Sequence, residues 1–238
     1  MTFLGKSILA VVPARGGSKS IPRKNLKKLC GESLISHVGK ICNSLNWIDL
    51  AIISTDDYEI AEEGIKSGLT MPFIRPKYLA EDNSNSIDMW RHAWIECEKI
   101  YKKKFDISIL LEPTSPLRIK EDIEECVTKL IDNNHTGVVT LSLTPAHFRP
   151  HKTLLINNEE KIGFYLPPKK EFSLRQNIPP YYYRNGICYA ITRKKLIDEN
   201  IILDESISSL IIKRPVVNID EPFDLELAEF LLKKNQIY

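Results

Sequence analysis

The sequence has little of what membrane, secreted or metal-thiolate proteins need. The apolar run at residues 8–12 is too short for a signal peptide, and no stretch approaches the apolar length that crosses a bilayer. The five cysteines are scattered and none forms a Cys-x-x-Cys pair, so zinc and dithiol redox sites are disfavoured. An odd number of unpaired thiols favours reduced, mostly buried cysteines in a cytoplasmic protein.

An excess of charge of either sign is also lacking. The 33 basic and 31 acidic side chains leave a formal net charge of +2, which gives no bulk attraction to nucleic acids or membranes. We therefore expect neither as a partner. Locally the balance is uneven, because residues 1–31 contain no acidic side chain whereas residues 220–229 contain five. Such segments suit a site for polyphosphate and metal, and they equally suit two ordinary solvated faces.

Several familiar catalytic motifs are missing. The sequence has no GxxxxGK[ST] loop and no GxGxxG fingerprint, the two commonest signatures of a phosphate cradle after a strand. The five histidines have no spacing that predicts a Ser-His-Asp triad or a metal-histidine site. A phosphate site in this chain must therefore be built differently.

The sequence does contain a regular alternation of short apolar runs and amphipathic segments. Apolar runs predict strands at residues 7–13, 49–54, 107–111, 137–143, 186–192 and 216–219. Helical spacing of apolar residues predicts helices over about 34–45, 58–67, 85–103, 120–133, 193–200 and 222–234. This order predicts a single α/β domain over residues 1–238, with a mostly parallel, doubly wound, Rossmann-like sheet and helices on both faces.

The alternation stops between residues 144 and 184. This stretch holds six of the fourteen prolines and little helical period. Long irregular segments are usually functional or disordered, and this one is too rich in apolar and aromatic residues for disorder. We predict an irregular arm that packs against a second copy of the chain. The alternative is a lid that folds back on its own domain.

The loop at residues 14–25, ARGGSKSIPRKN, is the sharpest motif. It follows the first strand, and ligands of open α/β sheets lie beyond the carboxyl ends of the strands. Gly16 and Gly17 allow backbone amides to approach phosphate oxygens. Arg15, Lys19 and Lys24 supply positive charge where a pyrophosphate would develop. The loop predicts a phosphate site, although many solvated turns share its composition.

Asn218 and Asp220 form a candidate metal site. Side chains two residues apart on a strand point to the same side, so these two could offer oxygens to one hard cation. Mg²⁺ commonly takes one or two carboxylates, with phosphates and water completing its shell. Alternatively, Asp220 or Glu221 simply begins the final helix, since Pro222 suits a first turn.

The segment EPTSPLR at residues 112–118 follows the strand predicted at 107–111. It therefore lies at the ligand edge of the sheet. Its two prolines hold it rigid, which suits the wall of a sugar pocket and also suits a plain connection.

Together these motifs resemble the acylneuraminate (nonulosonic acid) cytidylyltransferases, which make CMP-activated sialic, legionaminic or related acids. The resemblance runs nearly end to end. Its blocks, in order, are ARGGSKSIPRKN, Ser54-Thr55-Asp56, Arg75-Pro76 with Leu79-Ala80-Glu81-Asp82, LEPTSPLR, His151-Lys152-Thr153, Arg175-Gln176, Asn185-Gly186 and Asn218-Ile219-Asp220.

The resemblance implies a nucleotidyltransferase that joins CMP from CTP to an acidic nine-carbon sugar, with Mg²⁺ or Mn²⁺ as cofactor, and that works as a homodimer. It implies nucleotide-binding roles for Ala14, Arg15, Gly16, Gly17, Ser18, Asn25, Arg75, Ser84 and Ser86. It implies sugar-binding roles for Glu112, Thr114, Ser115, Lys152, Arg175 and Arg184. Catalytic roles fall to Arg15, Lys19, Lys24 and Asp220, and metal binding to Asp220 and Asn218. Lys152 and Arg175 would reach in from a second subunit through the arm.

Three positions depart from the family pattern. Glu112 stands where glutamine is common, and a carboxylate can only accept hydrogen bonds from a sugar hydroxyl or amide. Tyr183 stands where an arginine is usual, with Arg184 next to it, so either could face the ligand. Asn218 replaces an aspartate and brings one charge less to the metal.

Three other functions stay open at this point. The same fold could transfer CMP to the eight-carbon sugar acid of lipopolysaccharide, although the later blocks argue against it. Asp56 and Asp57 could hold a nucleotide sugar in a metal-dependent glycosyltransferase, and the altered blocks leave room for a non-catalytic nucleotide-binding regulator.

Overall fold

A central sheet of six strands organises the computed structural model, which describes residues 3–167 and 178–235. The strands of the described part are β1 (Ile8–Pro13), β2 (Lys28–Leu29), β3 (Glu32–Ser33), β4 (Leu50–Ser54), β5 (Ile107–Leu110), β6 (Gly137–Leu143), β7 (Leu154–Ile156), β8 (Ile162–Phe164), β9 (Tyr182–Thr192) and β10 (Ser208–Ile211). The α-helices are α1 (Leu34–Ser44), α2 (Tyr58–Lys66), α3 (Ser86–Tyr101), α4 (Lys120–Asp132) and α5 (Pro222–Asn235).

The sheet has the order β10-β6-β9-β5-β1-β4. All neighbouring pairs are parallel except those of β9, which runs antiparallel to β5 and to β6. The predicted mostly parallel α/β sheet is therefore confirmed. Two small antiparallel pairs, β2–β3 and β7–β8, lie outside this sheet.

Helices cover both faces of the sheet because β1 alternates between two apolar cores. Ile8, Ala10 and Val12 lie in the core that α1, α2 and α4 cover, whereas Leu9 and Val11 lie in the core that α3 covers. On that second face α3 buries the side chains of Trp90 and Trp94. Both tryptophans are core residues, as their helical spacing predicts.

Helices α1, α2 and α3 begin at short polar side chains, as is usual for helix caps. Ser33 accepts a hydrogen bond from the Ser36 amide at the start of α1, Asp57 does so for α2 and Asn85 for α3. None of the helices within 3–167 and 178–235 combines the length and apolar character of a membrane span.

Two predicted elements in the last third are wrong. Residues 216–219 form no strand; the edge strand is β10, which pairs in parallel with β6. The segment 193–200 is not an α-helix but a single π-helical turn, Lys194–Asp198. Short apolar runs are ambiguous in type and register, and the pairing partner decides between them.

The arm predicted at residues 144–184 is shorter than expected. Strand β9 begins at Tyr182, because Leu143 and Ser142 of β6 pair with Tyr182 and Tyr183. Residues 182–184 thus belong to the central sheet. The described part of the arm contains two short 3₁₀ turns and the hairpin β7–β8. Arg175 lies outside the described residues.

Candidate active site

A cleft of about 620 Å³ opens at the carboxyl ends of β1, β4 and β5, the edge where open α/β sheets bind ligands. Most of the residues predicted for the site line it: Arg15, Gly17, Ser18, Lys19, Lys24, Asn25, Arg75, Ser84, Ser86, Glu112, Thr114, Asn218 and Asp220. Five predicted residues do not line it: Ala14, Gly16, Ser115, Lys152 and Arg184. The fold therefore gathers four separate sequence blocks into one cavity.

Hydrogen bonds hold the start of the 14–25 loop against the sheet. The Ala14 amide donates to the Ser54 carbonyl at 2.9 Å. The buried Asn25 side chain donates to the Arg15 carbonyl at 3.0 Å. The Gly16 amide donates to the Asp56 carboxylate at 2.9 Å. Gly16 is thus a packing residue, and Gly17 is the glycine that lines the cleft.

Asp56 and Asp57 stabilise this loop through a hydrogen bond from the Gly16 amide and an ion pair with Arg23. Asp57 accepts from the Ile60 amide at 3.0 Å and caps α2. It also pairs with Arg23, and the hydrogen bond from that guanidinium lowers the pKa of Asp57. A Cβ added to Gly16 would lie 3.0 Å from the Asp57 side chain. Both aspartates are absent from the cleft lining, which argues against a glycosyltransferase that holds its metal there.

The three loop cations differ in how they are held. The Lys24 side chain is only 15% exposed, and its ammonium donates to the Ile219 carbonyl at 2.9 Å and to Asp220 at 3.0 Å. Arg15 and Lys19 both pair with Asp82 on the opposite lip, at 3.0 and 2.6 Å. All three face the cleft, where their charge can act on a phosphate.

The candidate metal residues lie on an extended segment tied to the neighbouring loop. The Ile219 amide donates to the Thr114 carbonyl at 2.8 Å, so Asn218 and Asp220 both reach the cleft although they are on no strand. Asp224 accepts from the Asp220 amide at 2.9 Å, which makes it a cap for this turn. Ser20 donates to the Asp220 carbonyl at 2.5 Å.

The donor set at this segment fits a divalent ion that brings other ligands. The Oδ1 of Asn218 is buried without a hydrogen-bond partner, which is unusual for a carbonyl oxygen. The Asp220 side chain is largely exposed. No group of three or more His, Cys, Asp or Glu side chains suited to a metal occurs in residues 3–167 and 178–235. Two protein oxygens with phosphate and water are a normal set for Mg²⁺.

Arg75 is a buried cation at the wall of the cleft. Its Nε donates to the Ser54 hydroxyl at 3.0 Å, and its Nη2 donates to the Ser54 carbonyl. Burial lowers the pKa of Arg75 to about 10, and Asp56 partly opposes that shift. Arg75 therefore stays protonated at neutral pH and presents a fixed charge at this wall.

Glu112 lines the wall of the cleft that follows β5. Burial raises the pKa of its carboxyl, and the charges of Arg118 and Arg184 oppose that rise. A Cβ added to Gly186 would come within 2.4 Å of the Glu112 carboxylate and of Ser115. Because residue 186 is glycine, there is space for the Glu112 side chain.

Arg118, which sequence reasoning did not single out, holds this wall in place. It is buried and donates to the carbonyls of Ile187 at 2.5 Å, Gly186 at 2.9 Å and Glu112 at 2.8 Å. The predicted sugar residue Ser115 has a similar task, since it is buried and donates to the Asn185 carbonyl at 2.8 Å. A motif cannot show which of its polar residues point inward.

The charge of Arg184 opposes the rise in the pKa of Glu112. Its neighbour Tyr183 lies on the same strand, where successive side chains point to opposite faces. Lys152 ends the 3₁₀ turn Pro150–Lys152 and is exposed. Within one described chain, neither Arg184 nor Lys152 lines the cleft.

Comparison with known proteins agrees with this geometry. A family model described as cytidylyltransferase matches residues 9–235. A CMP-N,N'-diacetyllegionaminic acid synthase from Legionella pneumophila is 31% identical over 236 residues, which cover 96% of this chain and 97% of that one. A pseudaminic acid cytidylyltransferase from Campylobacter jejuni is 32% identical over 231 residues, with 95% and 97% covered.

A solved structure supports the fold. A CMP:2-keto-3-deoxy-manno-octonic acid synthetase complexed with CTP superposes with a TM-score of 0.71 over 96% of this chain and 99% of that one, at 18% identity. At that identity the likeness shows the fold alone. The family match along nearly the whole chain shows more than the fold. It establishes that this protein is a nucleotidyltransferase that belongs to the cytidylyltransferase family.

Proposed function

We propose that this protein transfers CMP from CTP to a nonulosonic acid, an acidic nine-carbon sugar, and releases pyrophosphate. One observation carries the proposal: the cations Arg15, Lys19 and Lys24 share a cleft with the oxygen donors of Asn218 and Asp220. Nucleotidyl transfer needs positive charge at the leaving pyrophosphate. The oxygen donors suit the divalent ion that accompanies a triphosphate.

In the proposed reaction, the anomeric hydroxyl oxygen of the sugar bonds to the α-phosphorus of CTP. The bond from that phosphorus to the bridging oxygen breaks, pyrophosphate leaves and the hydroxyl proton is lost. Arg15, Lys19 and Lys24 neutralise the departing charge, and Arg75 with Ser84 and Ser86 holds the nucleoside. Positioning and fixed charge supply most of the rate enhancement in such transfers.

Asn218 and Asp220 are the proposed ligands of Mg²⁺ or Mn²⁺. When bound, such an ion polarises phosphate oxygens and lowers the pKa of an attacking hydroxyl. Lys24 also affects this site, because its ammonium lies 3.0 Å from the Asp220 carboxylate and partly neutralises it. The orphaned Oδ1 of Asn218 supports this assignment.

The sugar acid is proposed to occupy the side of the cleft walled by Glu112 and Thr114. The carboxylate of Glu112 accepts hydrogen bonds only, so it favours a sugar that points a hydroxyl or amide N–H at this wall. The relatives named for legionaminic and pseudaminic acids support this substrate class without naming the member.

A homodimer is proposed as the working form. Apolar side chains on the hairpin β7–β8 are largely exposed within one chain, among them Ile156 and Ile162. Exposure of such an apolar hairpin to water is unfavourable. The commonest way to bury it is contact with a second copy of the chain related by two-fold symmetry. Lys152 and Arg175 are proposed to complete the neighbouring site. Cytoplasmic location stays a prediction from the thiols, of which four are buried.

Pyrophosphate release from CTP tests the function. The panel holds sialic, legionaminic and pseudaminic acids and the eight-carbon acid of lipopolysaccharide, each with Mg²⁺ and with EDTA. We expect turnover with at least one nine-carbon acid, dependence on the divalent ion, and slower turnover when UTP replaces CTP. CTP binding with no release for any acid would leave a non-catalytic nucleotide-binding protein.

A further inference from the structure

Asp82 lies across the cleft from the loop at residues 14–25 and forms ion pairs with two cations of that loop. Its Oδ1 lies 3.0 Å from Arg15 Nη2, and its Oδ2 lies 2.6 Å from Lys19 Nζ. One carboxylate thus bridges two cations through two oxygens. A phosphate group can bridge an arginine and a lysine in the same way.

The segment that carries Asp82 is held in a defined shape. Arg15 also donates to the Glu81 carbonyl at 2.8 Å. The Ser84 amide donates to that same carbonyl at 3.1 Å, and the Ser84 hydroxyl donates to the Tyr78 carbonyl at 2.7 Å. The turn therefore presents Asp82 to the loop in a fixed position and links both lips of the cleft.

Asp82 is an anion at the pH where the protein works. The hydrogen bond from Lys19 and the nearby charge of Arg15 lower the pKa of its carboxyl. No other acidic side chain of residues 3–167 and 178–235 forms an ion pair with Arg15 or Lys19. Asp82 thus places one fixed negative charge beside Arg15 and Lys19, where the proposed substrate brings several.

We propose that Asp82 is a built-in stand-in for the triphosphate, because it pairs with Arg15 and Lys19 before the nucleotide binds. The entering phosphates displace Asp82 from these cations. After transfer, Asp82 competes with pyrophosphate for the same two cations. The inference rests on the proposed function, since it assigns the loop to a polyphosphate. Asp82 sets affinity by competition and touches no reacting atom. Removing its charge strengthens binding of a polyphosphate, which is opposite to the effect of removing a positioning residue.

Calorimetry with inorganic pyrophosphate and with CTP tests the competition. The proteins are wild type, Asp82→Asn and the matched control Asp88→Asn, titrated in EDTA and in excess Mg²⁺. Asp88 suits the control because it is an exposed acid on the same wall, in the first turn of α3, and pairs with neither loop cation. Circular dichroism checks folding, and Asp82→Ser repeats the comparison with a smaller side chain.

We expect Asp82→Asn to bind pyrophosphate in EDTA about fivefold more tightly than wild type, as two exposed ion pairs of modest strength imply. Asp88→Asn should stay within about twofold. Equal affinity of Asp82→Asn and wild type, or weaker binding in EDTA, would overturn the inference, because Asp82 would then position the cations. Weaker binding confined to Mg²⁺ would also overturn it, since Asp82 would then be a metal ligand.

Failure of the inference is distinct from failure of the function. If wild type binds CTP and releases pyrophosphate in the sugar panel while Asp82→Asn binds no more tightly, only the stand-in role is wrong. If wild type binds neither CTP nor pyrophosphate, the assignment of the loop is wrong and the stand-in role with it.

Discussion

Three cations of one loop reach the same cleft from different environments. Lys24 is 15% exposed and bonded to the Ile219 carbonyl, which fixes it in the wall. Lys19 is 84% exposed and pairs only with Asp82 among the described residues. An exposed ammonium is strongly hydrated, so the ion pair with Asp82, and not burial, holds Lys19. At this scale the loop combines one buried, fixed cation with cations held by exposed ion pairs.

Lys19→Ala should lower kcat/KM by about 30-fold, or about 2 kcal/mol, at the low end of the effect of a positioned donor. Stability should change by less than about 0.5 kcal/mol, because exposed ion pairs contribute little. Pyrophosphate release and urea unfolding measure the two effects. Lys28→Ala is the matched control, since Lys28 is an exposed lysine outside the cleft. A loss under about fivefold would make Lys19 an ordinary surface residue.

Strand β9 and the loop after β5 act as one element at the sugar side. Arg118 bonds carbonyls of both, and Asn185 bonds Thr140 and Ser142 of β6. The register between β6 and β9 shifts at this point, which is typical of bulges beside functional sites. The wall that carries Glu112 is therefore set by strand pairing and not by the local sequence.

Gly186→Ala should damage this wall. Gly186 has φ +72°, and a Cβ there would meet Glu112 and Ser115 at 2.4 Å. We expect a loss of about 2 kcal/mol in the free energy of unfolding from backbone strain and displaced side chains. Activity should fall as well. In the control Gly163→Ala the added Cβ meets nothing closer than 3.8 Å, and its urea midpoint should stay near that of wild type.

Helix α3 is fastened to the sheet at the end remote from the cleft. Glu98 is buried and accepts from Arg193 Nε at 2.9 Å and from Lys104 at 2.6 Å. Burial alone would raise the pKa of Glu98, but these hydrogen bonds outweigh it and the pKa is lowered. A lowered carboxyl pKa means that the folded state favours the charged form.

The stability of the protein should therefore depend on Glu98 in acid. Its contribution is complete above the ordinary glutamate pKa of 4.5 and is lost as the pH falls through the lowered folded value. Glu98→Gln should cost about 2 kcal/mol at pH 7. It should also flatten the fall in urea midpoint below pH 4.5. Glu96→Gln, on the exposed side of the same helix with a single ion pair to Lys99, is the control. Parallel acid profiles for Glu98→Gln and wild type would contradict the prediction.

In a single chain, part of the apolar surface is exposed to solvent. This exposure supports the proposed homodimer. Side chains on both strands of the hairpin β7–β8 are exposed, and Ile156 is 74% exposed. Two strands without a covering layer are marginal in water. In the proposed dimer a second copy would cover this ribbon and bring Lys152 toward the partner's cleft.

Ile156→Asp should convert the proposed dimer to monomer and lower activity. A charge in the centre of an apolar interface is costly when it is buried without a partner. Light scattering after gel filtration measures the mass. Ile65→Asp, at an exposed position of α2, should leave it unchanged.

Mixed subunits test whether the two sites are shared. Lys19→Ala and Arg175→Ala chains, each of low activity alone, should gain activity when mixed, because some sites then contain both native residues. A monomeric wild type, or no recovery after proven subunit exchange, would refute the shared site.

The sequence by itself determined the fold class and the place of the 14–25 loop after the first strand. Apolar runs and helical spacing depend on neighbours within a few residues, and the mostly parallel α/β sheet that they predict is confirmed. That this edge of the sheet binds a ligand stays a prediction. The cysteines also follow from composition, since four are buried. Burial raises the pKa of Cys42 and of Cys97 to about 12.

Only the tertiary structure decided which polar side chains face the cleft. Ser115 and Arg118 belong to one motif with Glu112, yet the first two bond carbonyls of the protein while the third faces the cavity. Asp82 lies 67 and 63 positions from Arg15 and Lys19 along the chain, and only the sheet brings it to them. Local patterns are set by contacts of short range, whereas these pairings depend on which strands meet, and that choice is made by the packing of the whole domain.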